Sequence, residues 1–122
     1  MTQHNKSLGN WGETVAKNEL EKIGYTILEM NFHCRFGEID IIAEDANEIV
    51  FIEVKTRNNN KRGDAIEAIS KTKQKHLMFA AQMYLKQKGM EERQYRIDIA
   101  TLQKKKNGNW KFQLIKAAVT MF

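Results

Sequence analysis

Gly37-Glu38-Ile39-Asp40 and, further along, Phe51-Ile52-Glu53-Val54-Lys55-Thr56-Arg57 are the stretches that decide the fold. They predict two strands, over 38–44 and 49–57, joined by the turn-like Asp45-Ala46-Asn47-Glu48. The second of these strands is rich in β-branched residues. Residues two apart in a strand point the same way, so Glu53 shares a face with Lys55, and Glu38 with Asp40. With Ala46 and Asn47 central in the turn, Asp45 opposes Glu48. Counting back then sets Asp40 opposite Glu53 and Glu38 opposite Lys55. Opposed residues hold their Cβ atoms about 4.5–5.5 Å apart. Two carboxylates roughly 5 Å apart repel by about 3 kcal/mol at an effective dielectric near 20. A purely structural hairpin avoids such a pair. A divalent cation between them reverses the sign of the interaction. Oxygen ligands with open positions suit Mg²⁺ or Mn²⁺ better than zinc. Asp40 and Glu53 are therefore candidate metal ligands. The plainer alternative is a solvated polar face on which Lys55 neutralises one acid.

Outward from this hairpin, the pattern predicts a helix over 8–23. Gly9, Gly12, Glu13, Ala16, Leu20 and Ile23 share one face of it, and Gly24 ends it. A strand over 25–32 follows, with Leu28, Met30 and Phe32 on one side and Tyr25 and Ile27 on the other. After the hairpin come a polar, basic loop over 58–64 and a long helix, broadly 65–88. Its apolar stripe is Ile66, Ile69, Leu77, Ala80, Ala81 and Tyr84, and Gly89 ends it. Strands over 95–102 and 110–119 flank a turn over 104–109. The order is α-β-β-β-α-β-β, a single α/β domain over residues 1–122 with a mixed central sheet flanked by helices.

Two charged residues fall on faces that ought to be apolar. Glu13 lies among the small residues of the first helix, where an acid is unusual without a partner. If that face meets the sheet, Glu13 reaches the same metal site; otherwise it is a helix-edge acid bonded to a neighbouring cation. Lys73 continues the line of Ile69 and Leu77, and either points into the site or snorkels outward. Trp11 and Trp110 read as core residues rather than as stacking platforms.

The bulk properties narrow the class. Hydrophobic residues make up 42% of the chain and charged residues 29%, which excludes a disordered chain. The net charge of +5 and pI near 9.4 make a polyanionic partner plausible, nucleic acid first, against the alternative of a merely basic surface. The single cysteine, Cys34, forms no internal disulfide, and His4, His33 and His76 show no zinc-site spacing with it. The polar N-terminus and the lack of a long apolar run point to a cytoplasmic protein with no membrane partner.

Helix with Glu13, strand with Asp40, strand with Glu53-x-Lys55: this order resembles the PD-(D/E)XK nuclease superfamily. The spacing is similar to that of archaeal Holliday-junction resolvases. The chain more closely resembles the bacterial YraN-like family, uncharacterised protein family 0102. That likeness rests on Gly9-x-x-Gly12-Glu13-x-x-Ala16, Gly24-Tyr25, Asn31, Gly37-Glu38-Ile39-Asp40-Ile41-Ile42 and Phe51-x-Glu53-Val54-Lys55-Thr56-Arg57. Lys73 and the Arg96-x-Asp98 strand also fit, while Ile39 stands where the superfamily name implies Pro. The resemblance implies a restriction-endonuclease-like fold and a Mg²⁺- or Mn²⁺-dependent endodeoxyribonuclease, with branched DNA suggested by the resolvase likeness. Asp40 and Glu53 would hold the ion with the Val54 carbonyl. Glu13 would support a second ion or orient a water, and Lys55 would position the attacking water or neutralise charge on the phosphate. Arg35, Arg57, Lys61 and Arg62, at strand ends and in the adjacent loop, would grip flanking phosphates. The rival expectation is a nucleic-acid-binding module of the same fold without turnover. A homodimer is compatible with either.

Overall fold

The structure, a computed structural model, describes residues 3–58 and 69–119, with side chains from Leu8 onward. The elements are α1 (Gln3–Lys22), β1 (Thr26–Cys34), β2 (Gly37–Asp45), β3 (Glu48–Arg57), α2 (Lys71–Gln87), β4 (Tyr95–Lys104) and β5 (Trp110–Val119). This is the expected α-β-β-β-α-β-β order. The five strands form one sheet in the order β1-β2-β3-β4-β5. β3 and β4 are parallel and the other neighbours antiparallel, so the sheet is mixed. Parallel neighbours need a long crossover, and α2 lies within it.

Each helix covers one face. Along β3, Val50 and Ile52 pack with Ala16 and Leu20 of α1, while Ile49 and Phe51 pack with Leu77, Ala80, Ala81 and Tyr84 of α2. Burial on both faces explains why β3 reads as a nearly unbroken apolar run. It ends at Glu53, where the polar face begins. α1 lies so close to β3 that a Cβ on Gly12 would sit 1.9 Å from Thr56 Oγ1. The absence of a side chain at Gly12 is what brings the first turns of α1 down onto the end of β3.

Three local expectations differ from the structure. In β1 the pairing with β2 shifts between Ile27 and Glu29, and Asn31 adopts φ +55°. Met30 consequently packs on the α1 side and Phe32 on the α2 side, and Leu28 is exposed, so the expected alternation fails. The second long helix starts at Lys71, because the Ser70 side chain caps it by accepting from the Lys73 N–H at 3.0 Å. Ile69 is buried but precedes the helix, and Ile66 and the start expected near residue 65 lie outside the described residues. Trp11 is 40% exposed and stacks on half-buried Trp110 instead of entering the core, with ring centroids 4.8 Å apart.

The sheet has two distinct ends. One carries the β2–β3 turn and the start of β4. The other gathers the β1–β2 turn, the C-terminal ends of β3 and β4, and the β4–β5 hairpin. Asp40, Glu53 and Lys55 lie toward the second end. Among the described residues no helix is long and apolar enough to cross a membrane.

Candidate metal centre

Asp45 opposes Glu48 as the hairpin count requires, and the ladder continues to Ile41 opposite Ile52. Asp40 and Glu53 come next in that count, but no backbone pair is formed there. Instead the Asp40 carboxylate accepts the Val54 N–H at 2.8 Å. The two strands part at this point because a side chain has taken a main-chain donor. On β2, Ile39 packs toward α2 and Ile41 toward α1, so the strand turns over at Asp40 itself. The carboxylate is thereby directed across to β3 rather than above or below the sheet.

Asp40 and Glu53 are 9% and 4% exposed. Burial, then a hydrogen bond to Glu53 and repulsion by its charge, push the Asp40 carboxyl up to about 9. The Val54 N–H pulls the other way, and Glu13 adds a smaller repulsion. At neutral pH and without a cation, Asp40 therefore holds its proton. Lys73 reaches into the site and lies 3.3 Å from Glu53 Oε2, which decides between its two expected orientations.

Glu13 also approaches this region. Its carboxyl is raised by burial first and then by Glu38 and Glu53, while a hydrogen bond with Asn31 lowers it. The Asn31 amide donates to Glu13 Oε1 at 2.8 Å and to Glu38 Oε1 at 2.6 Å. Glu38 is thus tied to Asn31 and Glu13, not set against Lys55 as the simple count had it. Asn31 adopts a left-handed conformation at φ +55°, and the pairing of β1 with β2 resumes in the same register on its far side, from Phe32 opposite Ile39. Asparagine is among the few residues that tolerate this conformation, which was the one signal of its role in the sequence.

Val54, Lys55 and Thr56 line a cavity of about 260 Å³ together with Leu8, Gly9 and Glu13. No carboxylate among the described residues pairs with Lys55. Arg35 is exposed in the β1–β2 turn with its guanidinium 4.9 Å from the centre of the Phe36 ring. Arg57 is half-buried at the end of β3, in register with Gln103. Lys61 and Arg62 lie outside the described residues.

Asp40 and Glu53 offer a buried pair of hard oxygen donors in which one partner is held against its preferred charge. Mg²⁺ is commonly bound through one or two carboxylates, with water and phosphate completing its shell. Among the described residues, no group of three or more His, Cys, Asp or Glu side chains is positioned to hold one ion. The donor set that fits is therefore the Asp40–Glu53 pair with the main chain at Val54. Glu13 stands at its edge, bridged to Glu38 by Asn31.

The pattern of the uncharacterised protein family UPF0102 matches residues 12–102, which includes Glu13, Asp40, Glu53, Lys55 and Lys73. A UPF0102 protein of Clostridium botulinum (strain Loch Maree / Type A3) is 46% identical over 116 residues, covering 93% of this chain and 94% of that protein. One from Caldicellulosiruptor saccharolyticus is 47% identical over 94 residues, covering 77% and 80%. Among solved structures, Pyrococcus furiosus SfsA in complex with Ca²⁺ aligns with a TM-score of 0.42 and 15% identity. That alignment covers 96% of this chain, which spans 65% of the SfsA chain.

Proposed function

From the premise that this chain belongs to the uncharacterised protein family UPF0102, we propose that it is a divalent-metal-dependent nuclease that hydrolyses phosphodiester bonds in DNA. One observation carries the reading: Asp40 lies buried beside Glu53, and burial first, then its neighbour's carboxyl, forces it toward its protonated form. A protein gains nothing structural from that conflict, and Mg²⁺ or Mn²⁺ relieves it. Perturbed carboxyls of this kind cluster at functional sites.

Asp40 and Glu53, with the Val54 carbonyl, would hold the cation. When bound, such an ion supplies Lewis acidity toward a phosphoryl oxygen and a lower pKa for the attacking water. Lys73 offsets the charge of Glu53 and fixes its carboxylate. Lys55 brings a positive charge that no carboxylate claims to the cavity beside the pair. It is suited to stabilise negative charge as it builds on the phosphate. Glu13 borders the same cavity, where its raised pKa suits it to orient a water or exchange a proton with it. Arg35 and Arg57 flank the site at two strand ends and are suited to hold phosphates without reading sequence.

The test is a cleavage panel of duplex, single-stranded, flapped and four-way DNA with Mg²⁺, with Mn²⁺ and with EDTA, run on the wild type and on Asp40→Asn. Metal-dependent cutting that Asp40→Asn abolishes supports the reading. Cutting that survives Asp40→Asn, or that proceeds in EDTA, removes it. DNA binding without cutting of any substrate leaves the binding module as the better account.

A further inference from the structure

The charge of the chain is concentrated in its last fifth. Residues 99–122 contain five lysines and no arginine, aspartate or glutamate, so they carry +5, the net charge of all 122 residues. The first 98 residues are neutral in sum. Lys104, Lys105 and Lys106 sit at the tip of the β4–β5 hairpin, all exposed. None of the three forms an ion pair among the described residues, whereas Lys17, Lys22, Lys73, Lys88, Arg93 and Arg96 all do. The tip is thus a cluster of uncompensated cations.

Beside it stands an aromatic pair, exposed Trp11 and half-buried Trp110. Trp110 opposes Lys104 across the hairpin and meets Trp11 at a 59° interplanar angle. Phe112 and Leu114, two and four residues on from Trp110, pack on the α1 face, and the pleat places Trp110 on that face too. The cavity lined by Glu13, Val54 and Thr56 opens against α1 as well. Register links the two places, since Thr56 pairs with Leu102 and Leu102 with Phe112. Strand rise and spacing then put Trp110 roughly 16 Å from Val54. An unpaired strand covers that distance in a few nucleotides.

We propose that Trp11, Trp110 and the Lys104–Lys106 tip form a platform for an unpaired stretch of nucleic acid, a few nucleotides from the Asp40–Glu53 centre. The choice of ligand rests on the nuclease reading. The chemistry is that of strand binding: lysines track the phosphates, and an aromatic face stacks a base regardless of its identity. A duplex would leave the tryptophans without a base to stack on. The platform therefore favours a substrate with a single-stranded arm.

The chain's two tryptophans are both in the platform, so tryptophan emission, excited selectively over that of tyrosine, reports on it alone. The experiment is a titration with a homothymidine oligonucleotide and with a blunt duplex, in EDTA so that turnover plays no part. The oligonucleotide should quench the emission and the duplex should quench it less. The double variant Lys105→Glu/Lys106→Glu, at two exposed positions, should weaken oligonucleotide binding roughly tenfold and flatten its salt dependence by about 0.7 per lost phosphate contact. Trp110→Ala should weaken it by a similar factor. Binding that leaves the emission unchanged and ignores the lysine reversals overturns the platform. Equal quenching by the duplex overturns the preference for an unpaired strand. Cutting of DNA by the double variant at the wild-type rate on every substrate also overturns the platform, while the nuclease reading stands. Lysine-dependent quenching by a protein that cuts nothing overturns the nuclease reading and leaves the platform standing.

Discussion

The β2–β3 hairpin carries a cluster of acids at each end, and the two are handled in opposite ways. At the turn, Asp45 and Glu48 converge with Asp98 of β4 on a single guanidinium. Arg96 donates to Asp98 at 3.1 and 3.3 Å, to Glu48 at 3.0 Å, to Asp45 at 3.1 Å and to the Tyr25 hydroxyl at 2.5 Å. Asp98, wholly buried, also accepts the Ala117 N–H at 2.9 Å. Burial alone would lower the Arg96 pKa, but Asp98 and Asp45 raise it overall. Five residues along β2, at the open end, Lys73 lies 3.3 Å from Glu53, but among the described residues no cation pairs with Asp40, which keeps a proton instead. Crowded carboxylates by themselves therefore do not make a site. What distinguishes the two ends is whether the chain answers every acid with a cation of its own. At the turn Arg96 answers all three, and the cluster is structural; at the open end Lys73 answers Glu53 alone, which leaves the pair suited to an ion from solution.

Removing the internal cation should make the turn end behave like the open end. Arg96→Met leaves Asp98 buried without its partner and is expected to destabilise the protein by about 3–5 kcal/mol in urea unfolding. Asp40→Asn should leave metal-free stability unchanged or higher, since it replaces a strained carboxyl by a neutral isostere. Similar losses from both variants would erase the contrast.

Lys55 sharpens it from the other side. Having no carboxylate partner, it should be dispensable for folding. Lys55→Ala is expected to keep the wild-type melting temperature and to lower the hydrolysis rate by about 10²–10³-fold on any substrate the wild type cuts. A variant that unfolds but still cuts when folded would assign Lys55 to structure.

The open end also depends on the close approach of α1. Gly12→Ala gains helix propensity, but its Cβ meets the stiff Thr56 side chain, so a net loss of about 1–3 kcal/mol is expected. Thr56→Ala should restore part of it in a double-mutant cycle.

The pH dependence of stability follows from Asp40. Its folded pKa is raised from 3.8 to about 9, so between those values the folded state holds a proton that the unfolded state has lost. This contribution is complete below about pH 4 and fades as pH rises toward 9, with a slope no steeper than about 1.4 kcal/mol per pH unit. Asp40→Asn or saturating Mn²⁺ should flatten it in melts run across this range. Binding of the ion should release up to one proton, measurable in buffers of different ionisation enthalpy.

The smallest effect is expected at the margin of the site. Arg57→Ala should weaken DNA binding about equally for all sequences and reduce the salt slope by about 0.9 for duplex. A change in sequence preference with the slope unchanged would contradict phosphate gripping.

The order of elements, the turn at Ala46-Asn47 and the closeness of Asp40 to Glu53 were legible in the chain because each is local. A two-residue period and a short hairpin fix which residues approach, whatever the rest of the protein does. The same locality explains what was missed. The count along the ladder could not know that Asp40 would take the Val54 N–H, nor that Asn31 would turn β1 over and draw Glu38 toward Glu13. Those outcomes depend on partners from α1 and two other strands. The role of Lys73 needed α2 to be laid over the sheet before its direction was settled. Arg96 and Asp98 stood in the sequence as two charges on a strand. Only the parallel pairing of β3 and β4, joined through α2, brought Arg96 to the acids of the β2–β3 turn. The sequence determined which carboxylates would crowd together, since that is set by strand period and turn length. Tertiary structure alone decided which crowd was answered in full from within the chain, because the arginine that settles one of them arrives from a strand some fifty residues away, whereas Lys73 reaches only Glu53 of the other.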